Sequence, residues 1–229
     1  MRSRGTRVSG IKLKEIEMNK TLIAFIGLLL VQSAVLAQTN EVPKYEVAAE
    51  FTSMDRNNFS GGMEAGVGAR FTYNLNKTFS LETAAYHFPR TCFSCERNGT
   101  VTELVGGLKV GKRFEKWGIF AKGRPGVVSF SRGAFNIVPA SGPPSFPFEF
   151  EFDRVNSFAV DAGGVVEFYP SKRIVTRFDA GDTIIHFGRR RFNSVISDPT
   201  GPTFTLFPVT SPGKTTHNFQ FMASVGFRF

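Results

Sequence analysis

The sequence predicts an all-β fold, an eight-stranded antiparallel up-and-down transmembrane β-barrel that is preceded by a cleavable signal peptide. Eight segments alternate apolar and polar residues, and the breaks between them are alternately long and short. The last segment, residues 217–229, is the clearest, because its odd positions from 219 onward are all apolar: Phe219, Phe221, Ala223, Val225, Phe227 and Phe229. Neighbouring side chains of a strand point to opposite faces, so this pattern gives one apolar and one polar wall.

The signal peptide is predicted at residues 18–37, where a short basic start precedes the apolar run 22–31 and a stretch of small residues. The apolar run is too short for a transmembrane helix, which needs about 20 residues. We expect Met18 to be the true initiator and residues 1–17 to be a mis-assigned or disordered leader. The barrel domain is then residues 38–229.

The charge balance argues against nucleic acid as a partner. The full chain carries a formal charge of +9, but the leader removed with residues 1–37 contains six Lys or Arg and two Asp or Glu. The rest of the chain has no stripe of basic residues interleaved with stacking aromatics, which nucleic-acid binding would require. No cofactor is expected either.

The predicted strands follow one another without a second domain or a long-period repeat. Each has the period-two pattern of a strand, with aromatic residues near several strand ends. They are predicted at residues 44–53, 62–74, 78–88, 100–114, 117–130, 154–169, 173–186 and 217–229.

The breaks between the strands predict how the barrel sits in its membrane. Asn76-Lys77, Glu115-Lys116 and residues 170–172 are tight turns. The other breaks are long and rich in Gly, Pro, Ser and Thr, at residues 54–61, 89–99, 131–152 and 188–216. Short turns on one side and long loops on the other are typical of transmembrane barrels, and both chain ends then fall on the side of the turns.

The polar positions predict a network of opposite charges inside the barrel. Acidic and basic residues balance on this face, and a narrow lumen requires such balance because desolvated charges are costly unless they are paired. The interior of an eight-stranded barrel is only just wide enough for side chains to fill it. The network is read as a structural plug, with a gate or ion path as the alternative, and consists of Glu64, Arg70, Glu82, Glu103, Lys109, Lys122, Arg124, Asp161, Glu167, Arg177 and Asp179.

These features together resemble the small outer-membrane β-barrels of the OmpA-domain, OmpX and opacity-protein class, over roughly residues 40–229. The resemblance implies export through the general secretory pathway to the bacterial outer membrane of a Gram-negative cell. It implies a monomer in contact with outer-membrane lipid, which periplasmic chaperones and the barrel assembly machinery handle during biogenesis. The ending resembles the assembly signal of such barrels, carried by Phe221, Val225, Phe227 and Phe229.

Two residues depart from the regular pattern. Pro125 lies inside the fifth predicted strand and removes a ladder donor, so we expect a bulge or a disruption of the strand there. Asp182 falls on the apolar face unless Gly181 shifts the register. A carboxylate on that face is tolerable only near the outer interface of the membrane.

Catalysis and metal binding are not expected. His87, His186 and His217 all fall near the outer rim, and the nearest candidate partners of the last two are Asp182 and Ser194. A rim-site enzyme acting on lipid or peptide needs a histidine with a nucleophile or carboxylate, so it stays an alternative, beside a narrow-pore channel and a soluble lipocalin-like carrier.

The single C-x-x-C motif does not supply the ligands of a familiar metal site. In an oxidising compartment, Cys92 and Cys95 are instead expected to close a small disulfide in the second outer loop.

The outer loops 131–152 and 188–216 are the predicted functional parts, with a structural, envelope-integrity or adhesin-like role. Phe148, Phe150 and Phe152 either form an exposed binding surface for an extracellular ligand or extend the sixth strand above the membrane. Residues 189–191 are three consecutive arginines that could pair with lipid phosphates.

Overall fold

A computed structural model describes residues 42–55, 62–89, 99–139, 148–197 and 204–229. The described residues contain no helix that is long and apolar enough to cross a membrane. Ten strands occur in this part of the chain: β1 (Tyr45–Asp55), β2 (Met63–Asn74), β3 (Phe79–Phe88), β4 (Val101–Arg113), β5 (Trp117–Pro139), β6 (Phe148–Phe168), β7 (Ile174–Phe187), β8 (Arg190–Ser197), β9 (Phe204–Ser211) and β10 (Lys214–Arg228).

Eight of these strands close into one antiparallel barrel, so the predicted fold class is confirmed. Strands β1 to β7 pair in sequence order, and β10 closes the ring between β7 and β1. At the closure the amide of Tyr45 donates to the carbonyl of Phe229, and the amide of Phe229 donates to the carbonyl of Tyr45, each at 2.9 Å. Every strand therefore has two partners, and the barrel has no free edge along its wall.

The barrel carries its apolar residues on the outside and its charged residues on the inside. On β10, Phe219 is 53% exposed and Val225 is 60% exposed, whereas Gln220 and Met222, on the opposite face, are each 1% exposed. This arrangement is the reverse of that in a water-soluble barrel, whose apolar residues fill the interior. An outer wall of this kind is stable only in an apolar solvent such as the interior of a bilayer.

Three short connections lie at one end of the barrel, which we call the turn end; the opposite end is the loop end. Aromatic side chains surround the turn end on the outside. The rings of Phe114 and Trp117 stack with centroids 4.3 Å apart, and Tyr45 lies 5.7 Å from Phe229 and 5.4 Å from Tyr73. Such girdles are typical of the level where a transmembrane barrel meets the lipid headgroups.

The predicted boundaries of the two long outer loops are wrong. β5 continues to Pro139 and β6 begins at Phe148, so most of the predicted loop 131–152 is paired strand. The three aromatic residues of this stretch therefore belong to β6 and lie on the same side as its outward-facing residues nearer the turn end: Phe148, Phe150 and Phe152. The predicted loop 188–216 contains a second hairpin, formed by β8 and β9.

Pro125 does not produce a bulge. The pairing of β5 with β4 lapses opposite Gly106 and Gly107 and resumes in the same register, while Pro125 keeps Val160 of β6 as its partner. The disruption is therefore limited to the side of β5 that faces β4, where the missing N–H of Pro125 would have donated. The irregularity of β5 lies higher, between Phe130 and Ala134, where its register with β6 shifts.

Candidate functional site

The turn-side and central part of the lumen holds a continuous set of ion pairs, which we call the ionic layer. All of its side chains point inward from the barrel strands and are nearly or fully buried. Cations and carboxylates are equal in number: Arg70, Lys109, Arg113, Lys122, Arg124 and Arg177 face Glu46, Glu50, Glu82, Asp161, Glu167 and Asp179. The layer is therefore electrically neutral, as a desolvated interior requires.

Arg177 occupies the centre of the ionic layer. Its guanidinium donates to both carboxylate oxygens of Glu82, one of them at 3.1 Å, and to both oxygens of Asp179, one of them at 2.7 Å. Glu82 also lies 3.3 Å from the ammonium of Lys109 and 3.5 Å from the guanidinium of Arg70. One carboxylate of β3 thus joins cations from β2, β4 and β7. The contacts with β2 and β4 join neighbouring strands, and the contact with β7 crosses the lumen.

A second group of pairs lies beside β5 and β6. The guanidinium of Arg124 donates to Asp161, and the ammonium of Lys122 lies 3.0 Å from Asp161 and 3.1 Å from Asp179. The hydroxyl of Tyr86 donates to Glu50 at 2.6 Å and accepts a hydrogen bond from Arg124 at 3.2 Å. Tyr86 therefore connects the two groups of ion pairs.

The structure brings together all of the predicted network except Glu64 and Glu103. Glu103 is fully buried, but its described partner is the amide of Gln220 at 3.2 Å, and one of its carboxylate oxygens has no hydrogen bond in the described residues. Glu64 lies farther toward the loop end, opposite Met54 of β1.

The predicted network did not name every member of the layer. The sequence places Glu46, Glu50 and Arg113 among the balanced charges of the polar face, but only the structure joins them to the network. Tyr86, which is also inward by parity, was not predicted to take part.

The loop-side part of the lumen contains an apolar cluster, which the sequence analysis did not predict. Inward side chains at the loop ends of the strands form a buried cluster, which we call the apolar layer: Met54, Ala84, Tyr86, Phe88, Val101, Val105, Val128, Phe130, Ala159, Ile185 and Met222. Phe187 packs against this cluster, with its ring centroid 5.5 Å from that of Phe130. Polar side chains remain beside this cluster, because Thr216, Asn218 and Gln220 of β10 are buried at the same end.

Glycines let the aromatic rings of the lumen lie flat against the barrel wall. A Cβ on Gly68 would lie 2.3 Å from the ring of Tyr86, and one on Gly66 would lie 2.7 Å from the ring of Phe88. Both distances are shorter than any carbon–carbon contact tolerates. Gly68 therefore holds Tyr86 in the position from which it reaches Glu50.

The β8–β9 hairpin leans on the part of β5 that rises above the barrel. The guanidinium of Arg190 donates to the carbonyl of Gly133 at 2.9 Å, and the amide of Asn193 donates to the side chain of Asn136 at 2.9 Å. The rings of Phe135 and Phe192 are 5.8 Å apart. Polar and aromatic contacts thus join the two hairpins at the loop end.

The three histidines lie on the outer wall near the loop end. His217 Nδ1 lies 2.5 Å from a carboxylate oxygen of Asp182, and the other oxygen of Asp182 accepts from the amide of Asn218 at 2.7 Å. Gly181 does not shift the register, so Asp182 does face outward. His186 contacts the hydroxyl of Thr215 at 3.0 Å, and Ser194 belongs to the β8–β9 hairpin.

The residues of the predicted assembly signal lie on the outer wall of the barrel. Phe221, Val225, Phe227 and Phe229 all face outward and are between 37% and 60% exposed, on the wall next to β1 and β7. Cys92 and Cys95, together with residues 1–37, lie outside the described residues.

The barrel has the architecture of the small eight-stranded outer-membrane β-barrels. No family model matches the sequence, and no curated protein matches it significantly. Among solved structures, Neisserial surface protein A (NspA) matches at 9% identity and a TM-score of 0.49, over 83% of this chain and 100% of that one. The attachment invasion locus protein Ail of Yersinia pestis matches at 14% identity and a TM-score of 0.39, over 81% and 96% of the two chains.

The outer membrane protease OmpT from Escherichia coli also matches, at 8% identity and a TM-score of 0.26, over 84% of this chain and 99% of that one. At identities and TM-scores this low, the three likenesses bear on the fold alone and assign no activity to this chain.

Proposed function

We propose that this protein is a non-conducting barrel of the bacterial outer membrane that acts through its outer hairpins, in surface interaction or in envelope integrity. The observation that carries this proposal is the pair of hairpins at the loop end. β5 and β6 stay paired up to Pro139 and Phe148, beyond the loop ends of their neighbours, and the β8–β9 hairpin is hydrogen-bonded to β5. Such a surface is more rigid than an open loop and costs less entropy on binding.

The hairpins can be tested by replacing residues 190–211 with an Asn-Gly turn, which removes β8 and β9 and leaves the barrel strands intact. The expected outcome is a folded barrel in cells that lose either adhesion to host or abiotic surfaces or resistance to a membrane-impermeant dye. These two readouts separate surface interaction from envelope integrity. Unchanged adhesion together with unchanged dye entry would contradict the proposal.

The closed lumen is supported by its two layers, because buried ion pairs and a packed apolar cluster leave little room for water. A narrow-pore channel is the competing function. Single-channel recording of the refolded protein in planar bilayers decides between them, and a large, steady conductance would overturn the closed-lumen proposal.

The location in the outer membrane is supported by the apolar outer wall and by the aromatic side chains at the turn end. The same proposal includes export through the secretory pathway, handling by chaperones and assembly machinery, and a monomeric state in contact with lipid. Membrane fractionation and heat-dependent migration on gels test it. A compact monomer that stays soluble without detergent would favour a soluble carrier instead.

An enzyme at the rim is the second candidate, and the pairing of Asp182 with His217 is the observation in its favour. The carboxylate orients the imidazole as in a catalytic dyad, and the His217 side chain is 71% exposed. Within the described residues, however, no serine or threonine hydroxyl is hydrogen-bonded to His217, and that of Thr215 contacts His186. We therefore propose no enzymatic activity. Turnover of a lipid or peptide substrate that is lost in His217→Ala would reverse this ranking.

A further inference from the structure

The mouth of the barrel contains a cavity beside the β8–β9 hairpin. Its volume is about 170 Å³, and its lining includes Phe187, Arg190, Ser211, Lys214 and Thr216. Phe187 packs on Phe130 of the apolar layer, so the cavity lies on the outer side of that layer.

A second cavity of about 210 Å³, between the two outer hairpins, shares Gly133, Arg190 and Ser211 with the first. Arg190 is thus the cation common to both cavities. A molecule from the outer medium could reach this site without crossing the ionic layer.

The guanidinium of Arg190 is held in place but is not fully satisfied. Its Nη1 donates to the carbonyl of Gly133 at 2.9 Å, and the guanidinium carbon lies 5.9 Å from the ring centroid of Phe187. Its Nη2 is buried and has no hydrogen-bond partner among the described residues, and no described carboxylate lies within ion-pair distance of it. Burial accordingly lowers the pKa of Arg190. A buried donor without an acceptor is costly, and an anionic ligand would relieve that cost.

The other groups around the first cavity favour the same class of ligand. Lys214 adds a second positive charge, and Thr216 adds a hydroxyl group that can donate a hydrogen bond, whereas the hydroxyl of Ser211 donates to the carbonyl of Pro212. The described lining of this cavity contains no carboxylate, whereas the lining of the second cavity includes Asp153. A small oxyanion is therefore favoured in the first cavity, beside Lys214.

We propose that the mouth cavity binds a phosphate or sulfate group, with Arg190 as the main charged donor and Lys214 as the second. This inference rests on the proposed surface-interaction role and gives that role a ligand chemistry. The planar guanidinium can donate two parallel hydrogen bonds to such a group. The group can belong to a soluble molecule or to a lipid headgroup that reaches over the rim.

The direct test is titration of the full refolded protein, in an uncharged detergent at low salt, with inorganic phosphate and with inorganic sulfate. Isothermal calorimetry should give saturable binding. Arg190→Gln should weaken it by about tenfold or more, the usual size of a lost charge-assisted hydrogen bond, and Lys214→Gln should weaken it severalfold.

Arg189→Gln is the matched control, because Arg189 is exposed and lines neither cavity. The variant removes the same charge from the same segment but no group from the cavity. Its affinity for phosphate should therefore stay within about twofold of the wild-type affinity. Heat-dependent gel migration verifies that each variant is folded. Equal losses in Arg189→Gln and Arg190→Gln, or no saturable binding to the wild type, would overturn the proposal.

Two further measurements separate the two sources of the group, and separate the anion site from the surface role. In nanodiscs of zwitterionic lipid, inorganic phosphate should still bind. If added anionic phospholipid competes with it, the headgroup is the source, and if it does not, the ligand is soluble. The replacement of residues 190–211 tests the surface role by adhesion, whereas Arg190→Gln keeps the hairpin and tests the anion site alone.

Discussion

The two halves of the lumen are filled by opposite chemistry. In the turn-side half, buried cations and carboxylates are paired in equal numbers across several strands. In the loop-side half, a cluster of apolar side chains packs beside mostly uncharged polar ones. A slip of two residues between strands would keep every side chain on its face. In the apolar layer it would exchange one apolar contact for another, whereas in the ionic layer it would leave buried charges without partners. The ionic layer therefore selects the strand register, and the apolar layer contributes packing that tolerates change.

The largest expected effect is that of Arg177→Met in the ionic layer. The substitution leaves Glu82 and Asp179 short of their main partner, and breaking a buried pair from one side costs about 3–5 kcal/mol. Urea unfolding in liposomes, followed by the fluorescence of Trp117, measures the loss of unfolding free energy. Arg173→Met is the control, because Arg173 is exposed at the turn end. A loss below about 1 kcal/mol for Arg177→Met would mean that the ionic layer does not select the strand register.

Gly68→Ala tests the boundary between the halves, because Tyr86 belongs to the apolar layer and also binds Glu50 and Arg124. The added methyl would press on the Tyr86 ring and on the carbonyl oxygen of Ala85, and overpacking of this kind costs about 1–3 kcal/mol. The same unfolding measurement applies. Gly164→Ala should be harmless, since a Cβ there meets no atom within 4 Å. Equal stability of the two variants would show that Tyr86 can move without loss.

Phe130→Leu tests the tolerance of the apolar layer. The side chain stays apolar and similar in size, so the expected loss is below about 1.5 kcal/mol, clearly less than for Arg177→Met. The two variants are compared in the same urea series. If Phe130→Leu were the more damaging of the two, the contrast between the layers would be reversed.

Salt should have the smallest effect. The ion pairs are buried, so raising the ionic strength from about 0.05 to 0.5 M should change the unfolding free energy little, because screening acts mainly on exposed charges. The midpoint of urea unfolding at several salt concentrations checks this. A steep fall with salt would indicate that water and ions enter the ionic layer.

The alternation of residues predicted the barrel strands well because lipid-facing and lumen-facing positions differ strongly along β1 to β7 and β10. It could not predict the partners of the charges, since Lys109 and Glu167 lie on strands that are not neighbours. Contacts across the lumen depend on the diameter and register of the closed barrel, which no single segment encodes.

The β8–β9 hairpin was missed for a local reason. Prolines and glycines in residues 199–213 predict irregular chain, yet Pro208 lies inside β9 opposite Asn193. A two-stranded hairpin consists only of edge strands. A proline is tolerated there at a position whose N–H would point away from the partner strand. The sequence rule against proline holds for the wall of the barrel and fails for this hairpin.

The ring closes between β1 and β10, the first and last of the described strands, with Glu46 opposite Arg228. This seam joins two strands that are far apart along the polypeptide, so it can form only after β10 has been synthesised. Until then both margins of the growing sheet are unsatisfied and prone to stick to other molecules. A truncation anywhere before β10 would therefore leave an open, aggregation-prone sheet.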